Sequence, residues 1–373
     1  MSGDETPFAP PVDEAPPVDP VPAAGEEAPP PSLAARLRQP RTIISIALPI
    51  AVLALVVVNL PDFHLDRLAS LIAGANPAFL VLAFLVYYLG FPLRGYRWQI
   101  LLRGSGVDAS LRDTTEIIFL SWLVNCVVPA KLGDVYRAWL VRLNYVVSLS
   151  RTFGTVFLER VMDLLAITTL ALASGFWSFR SGLPPAVQLL FGLGVVVVVA
   201  LAGGLFTMRN FGGRLIRKLP IPHRLLEFYD RFEEGVFGSV VAGQIPRLVI
   251  LTGLIWATEA GRLWFVIQAL GFGHEVQLGI SGVFFVALSA SLLTAVPFTP
   301  AGLGIVEAGV VGILTVIYNV PTTDALSIAL VDRSISVLSI IVLGGLLYLV
   351  SPTVRGTRAG QLSGEMAGGG QYQ

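Results

Sequence analysis

Ionisable side chains fall inside runs otherwise apolar enough for hydrocarbon: Glu159, Arg160 and Asp163; Glu259 and Arg262; Glu307; Asp332 and Arg333. Charge is costly in hydrocarbon, and such groups by default mark a functional cavity. An arginine fork can hold two phosphate oxygens at once, so the chemistry on offer is recognition of a phosphate-bearing lipid. Arg94, Arg97, Arg160, Arg262 and Arg333 are the candidate substrate contacts. Asp134, Glu159, Asp163, Glu259, Glu307 and Asp332 would hold those arginines or shuttle protons. The plainer alternative is that acids and arginines pair as struts between helices.

Two broken segments must position these charges. Pro297-Phe-Thr-Pro300-Ala-Gly302-Leu-Gly304-Ile-Val-Glu307 interrupts one apolar run, and Pro129-Ala-Lys-Leu-Gly133-Asp134 ends another. Four of five residues agree between Pro129–Gly133 and Pro300–Gly304. In hydrocarbon, broken backbone survives only where protein or a water-filled cavity covers its freed polar groups. The flanks also match. Arg94, Arg97 and Trp98 precede one break, and Glu259, Arg262 and Trp264 precede the other. Glu159-Arg160 follows the first, and Asp332-Arg333 follows the second at nearly the same spacing. Paired interruptions in two halves are the sequence signature of a transporter-type site at a repeat interface. The half-helix after Gly304 would offer free N–H groups to an anion, with Glu307 one turn in, where it could meet a lipid amine, Arg262 or Arg333.

The 373-residue chain is 54% hydrophobic and 13% charged, with several runs long enough to span a bilayer. The first 35 residues hold seven acids and no base, leaving 18 acids against 25 bases in the rest. A basic membrane part suits contact with anionic head groups. Residues 1–40 read as a disordered, Pro-rich, acidic cytoplasmic tail without signal-peptide features, and 353–373 as a second tail.

Residues 41–352 form the expected membrane domain, with halves at about 77–178 and 245–350. The positive-inside rule places Arg36, Arg38 and Arg41, before a span at Ile43–Leu60, on the inside. It then gives a segment at Thr115–Val128 with bases on both flanks, hence a re-entrant hairpin dipping in from the inside. The segments around Pro297 carry no base, and the cytoplasmic Arg355 and Arg358 require them to return to the outside. The predicted fold is an all-α polytopic membrane protein: about six spanning helices plus two re-entrant broken-helix hairpins in an inverted repeat. An amphipathic helix at about 223–243 would lie on the inner surface.

Several chemistries are set aside. No phosphate-loop motif supports an ATPase. The three histidines are scattered, and no metal, cofactor or nucleic-acid partner is expected. Trp98, Trp122, Trp139 and Trp256 read as an interfacial belt, Gly203-Gly204 as helix packing, and the single cysteine, Cys126, as a small core filler.

Arg94-Gly-Tyr-Arg97-Trp98, Pro129–Arg137, Leu158-Glu159-Arg160-Val-Met-Asp163 and Pro300–Glu307 together resemble the flippase-like family named after the transmembrane region of lysylphosphatidylglycerol synthase. The resemblance covers about residues 40–350. It implies a bacterial or archaeal inner-membrane protein with a lipid-translocating or lipid-linked-substrate role. Charge bias adds that both termini are cytoplasmic, and the expected ligand is a phospholipid or polyprenyl-phosphate lipid. In the synthases a soluble C-terminal domain transfers lysine; this chain ends soon after its last span, so no such transferase is expected. Asp134 stands where many members carry Glu, which keeps the acid. The alternatives are a membrane enzyme or enzyme partner acting on a lipid-linked substrate, and a lipid-binding scaffold.

Overall fold

The computed structural model describes residues 64–128, 131–180, 182, 185–218, 220, 222–273, 278–294 and 299–355. The expected N-terminal tail, residues 356–373 of the expected C-terminal tail, the Ile43–Leu60 span, Pro129 and Pro297 lie outside them. The start of that second tail is helical instead: Pro352–Arg355 forms a short turn of helix, and Thr353 is buried, with its carbonyl accepting the Asn144 side-chain N–H at 2.9 Å. Every regular element among the described residues is helical. The longer helices are α1 (Leu65–Ala73), α2 (Pro77–Gly104), α3 (Leu111–Val127), α4 (Leu132–Asn144), α5 (Leu149–Ser178), α6 (Pro185–Thr207), α7 (His223–Phe237), α8 (Ile245–Ala269), α9 (Gly279–Leu293), α10 (Ile305–Val316), α11 (Thr322–Arg333) and α12 (Ser339–Val350).

Among the described residues, four helical stretches are long and apolar enough to cross a membrane: Pro77–Gly104, Val187–Ile216, Ala242–Ala269 and Thr322–Val350. The sequence predicts about six spans, so these four are what length and composition establish. The last runs from α11 through a widened turn, Ser334–Leu338, into α12. The 30-residue α5 carries Glu159, Arg160 and Asp163 in its first half.

Local chemistry explains the starts. The Asn76 side chain accepts the Ala78 N–H with Pro77 at the first helical position, and Ser110 and Ser148 cap α3 and α5 through the Asp113 and Arg151 N–H groups. Ser110 therefore starts α3 at Leu111, four residues before the predicted Thr115. The amphipathic helix α7 stops at Phe237 rather than 243, because Gly238 closes it and the next residue, Ser239, lies against Gly104. It docks on α5 where Gly154 and Gly235 bring the two backbones together; a Cβ on Gly235 would meet the Arg151 carbonyl at 2.1 Å.

α2 and α8 pack side by side in opposite directions: Phe79 stacks on Phe265, Arg94 meets Glu259, and Arg97 meets Thr252. Several other contacts come in matching pairs. α3 packs on α12 of the other half, as α9 packs on α5. α4 folds back on α5, as α10 folds back on α11. Two corrections follow from packing. Trp98 is fully buried, with its indole N–H donated to Thr155 Oγ1 at 3.1 Å, so it belongs to no interfacial belt. Among the described residues nothing lies within 4 Å of a Cβ placed on Gly203 or Gly204, so the helix packing expected of them is not made there.

Candidate functional site

Both breaks are built from left-handed backbone. In the first, Val128 is extended, Lys131 has φ 51°, and α4 starts at Leu132. In the second, Ala301, Gly302 and Gly304 have φ of 51°, 71° and 84°, and α10 starts at Ile305. Lys131 and Gly302 hold the same place in the repeated motif and share this conformation. The Gly133 N–H donates to Asn125 Oδ1 at 2.8 Å, and a Cβ there would meet the Ser121 carbonyl at 2.0 Å, so α4 folds onto α3 only with glycine. At the second break the Gly304 N–H donates to Glu307 Oε2 at 2.7 Å, which caps α10 with the acid predicted there.

The charged residues form one buried network. In the first half, Arg97 donates to Asp163 at 2.7 Å, to Glu159 at 3.1 Å and to Thr252 at 2.9 Å. Arg160 grips Asp134 with two bonds of 2.8 and 2.7 Å, and Arg137 reaches Glu159 at 3.0 Å. In the second half, Arg262 grips Asp332 with bonds of 2.7 and 3.1 Å and also donates to Glu259. Arg333 donates to Glu307 at 2.8 Å and to the Ala301 carbonyl. Arg94 donates to Glu259 at 2.7 Å and joins the halves.

The halves use one wiring plan. An arginine of the first helix (Arg97 or Arg262) holds the acid of the acid-Arg dipeptide (Glu159 or Asp332). The dipeptide's own arginine then holds an acid on the half-helix after the break, 26 residues earlier in both cases: Asp134 for Arg160 and Glu307 for Arg333.

A cavity of about 160 Å³ lies between the halves. Lys131 from the first break and Thr299, Ala301 and Gly302 from the second both wall it. Arg160, Glu259, Arg262, Asp332 and Arg333 line it as well, whereas Arg94, Arg97, Asp134, Glu159, Asp163 and Glu307 form the layer behind. Pro300 is buried in the short turn beside it. Arg97 is 0% exposed and bound to three partners, so it cannot reach a ligand without breaking them. Trp122 and Trp256, expected at a membrane interface, stand on the cavity wall instead, and so does Cys126. Arg94 stacks over Trp122 at 4.8 Å, and Arg262 over Tyr87 at 4.9 Å.

The sequence did not single out Lys131, Arg137 or Asn125 for the site. Lys131 and Arg137 read only as bases flanking a break. The one available signal was that Lys131 occupies the motif position taken by Gly302.

A family model described as the lysylphosphatidylglycerol synthase TM region matches residues 43–344. A UPF0104 membrane protein of Methanocaldococcus jannaschii is 33% identical over 229 residues, 61% of this chain and 93% of the relative. A UPF0104 membrane protein of Pyrococcus horikoshii is 23% identical over 312 residues, 76% of this chain and 90% of the relative. Glycosyltransferase AglD of Haloferax volcanii is 26% identical over 369 residues; the match takes in 87% of this chain but only 57% of the relative.

Proposed function

The chain belongs to the family of the lysylphosphatidylglycerol synthase transmembrane region, and from that premise we propose that it moves the phosphate-bearing head group of an anionic lipid across the membrane. The observation that carries this reading is a cavity walled by both broken segments and lined by arginines of both halves. Irregular backbone at membrane depth is tolerable where it lines such a space. Each half inserts its break as a re-entrant hairpin, one from each face, with both termini cytoplasmic. The opposite directions of α2 and α8 support a two-fold axis in the membrane plane, as inverted insertion requires. Movement is not driven by ATP; the head group is recognised by charge while its acyl chains stay in lipid. The chain performs no aminoacyl transfer in this reading.

The test is translocation of a labelled anionic lipid by the purified protein in liposomes. Wild type is expected to accelerate it, and Arg160→Ala and Glu307→Gln to slow it. Equal rates in all three would refute the proposal. A second reading, service to an enzyme acting on a lipid-linked glycan, draws on the relative named as a glycosyltransferase. Under that reading the protein would copurify with a glycan-bearing lipid and translocate none of the simple phospholipids offered.

A further inference from the structure

The ion-pair network is balanced to the charge. Its bases are Arg94, Arg97, Arg137, Arg160, Arg262 and Arg333, and its acids are Asp134, Glu159, Asp163, Glu259, Glu307 and Asp332. Every acid lies within ion-pair distance of an arginine, so six positive charges meet six negative ones. Lys131 stands on the cavity wall beside them and makes no ion pair among the described residues. It is the excess positive charge.

Its backbone gives a second, independent reason to look at it. A left-handed conformation is unfavourable for a side chain with a Cβ and free for glycine. The equivalent position in the other half has the same conformation and is Gly302. A lysine held where glycine would fit better makes sense if its side chain is needed there, and backbone strain of this kind collects at functional sites.

We propose that Lys131 selects the charge of the lipid: the cavity takes a head group carrying one negative charge, a phosphodiester, and disfavours the doubly charged phosphomonoester. This deepens the lipid-translocation reading and rests on it. A cavity of about 160 Å³ matches the size that holds a six-atom ring such as benzene in an engineered interior, so a phosphate group fits. One phosphodiester charge neutralises Lys131. A phosphomonoester near neutral pH carries close to two, which would leave about one buried charge without a partner.

The full chain, purified in nanodiscs, would be tested for competitive binding of phosphatidylglycerol, phosphatidic acid and phosphatidylethanolamine. Wild type is expected to prefer phosphatidylglycerol to both others. Lys131→Gly should cost about tenfold or more in phosphatidylglycerol affinity, as loss of a charged contact does, with a melting temperature no lower than wild type. Lys131→Arg should keep the preference. If Lys131→Gly does not fold, Lys131→Asn answers the same question, because asparagine tolerates left-handed backbone. Unchanged phosphatidylglycerol affinity in folded Lys131→Gly or Lys131→Asn protein, or wild-type preference for phosphatidic acid, would overturn this proposal and leave the translocation reading standing. Binding of no lipid by wild type would sink both.

Discussion

Replacing Arg97 with methionine should be among the most damaging single changes in the protein, and the network predicts how to repair it. Arg97 is 0% exposed and bonded to Asp163, Glu159 and Thr252. Without it, Glu159 keeps Arg137 at 3.0 Å, but Asp163 keeps only Arg160 at 3.6 Å. At an effective dielectric of about 20, a charge pair about 4 Å apart is worth about 4 kcal/mol, and stranding one buried partner costs about 3–5 kcal/mol. A loss of that size lowers the melting temperature by roughly 5–10 °C. The second change, Asp163→Asn, removes the stranded charge and returns the network to balance. The double variant should therefore recover at least about 2 kcal/mol of the loss, well outside additivity. Thermal unfolding of wild type, both single variants and the double variant in one detergent measures this. A double variant whose loss equals the sum of the two single losses would refute the balanced network.

Other consequences can be checked as directly. Gly133→Ala drives a Cβ onto the Ser121 carbonyl at 2.0 Å and should cost about 1–3 kcal/mol, whereas Gly192→Ala, which meets nothing, should be neutral or stabilising in the same melt. Gly235→Ala should lift α7 from α5, read as faster proteolysis in that helix while the remaining chain stays intact. Trp98→Phe keeps an aromatic ring but removes the donor to Thr155 Oγ1, which retains only its bond to the Thr152 carbonyl, and should cost about 1 kcal/mol; an interfacial tryptophan would show almost none. Cys126, the only cysteine, lies on the cavity wall, so added anionic lipid should slow its alkylation in the native protein, and an unchanged rate would argue that the lipid binds elsewhere.

The parts of the site that announce themselves in sequence are those that conflict with their surroundings. A charge in an apolar run and a proline-glycine cluster between two runs each cost free energy, so Glu159-Arg160, Asp332-Arg333 and the two breaks are legible. The 26-residue spacing of the Asp134–Arg160 and Glu307–Arg333 pairs is also in the sequence, but it gains meaning only once α4 and α10 are seen to fold back on their neighbours. Lys131 and Arg137 escaped because a base beside a break looks like an ordinary positive flank. Whether such a base faces water or a cavity depends on packing between distant segments. The tryptophans misled for the same reason: their neighbours in sequence are charged, but those charges turn inward, and Trp98 and Trp122 follow them.

The two equivalent latches are not equally closed. Arg160 and Asp134 are 30% and 13% exposed, against 13% and 2% for Arg333 and Glu307. A body with true two-fold symmetry would show the same value twice. This one follows a single plan twice and reads it out in two ways, loosely around the first break and tightly around the second. Exchanging the two readings, so that the second latch loosens as the first tightens, would give another arrangement of the same helices with no kind of contact not already made. Under the proposed translocation, a chain written as a near-repeat would carry the description of a second shape within the first, in which the cavity between its halves opens to the other face.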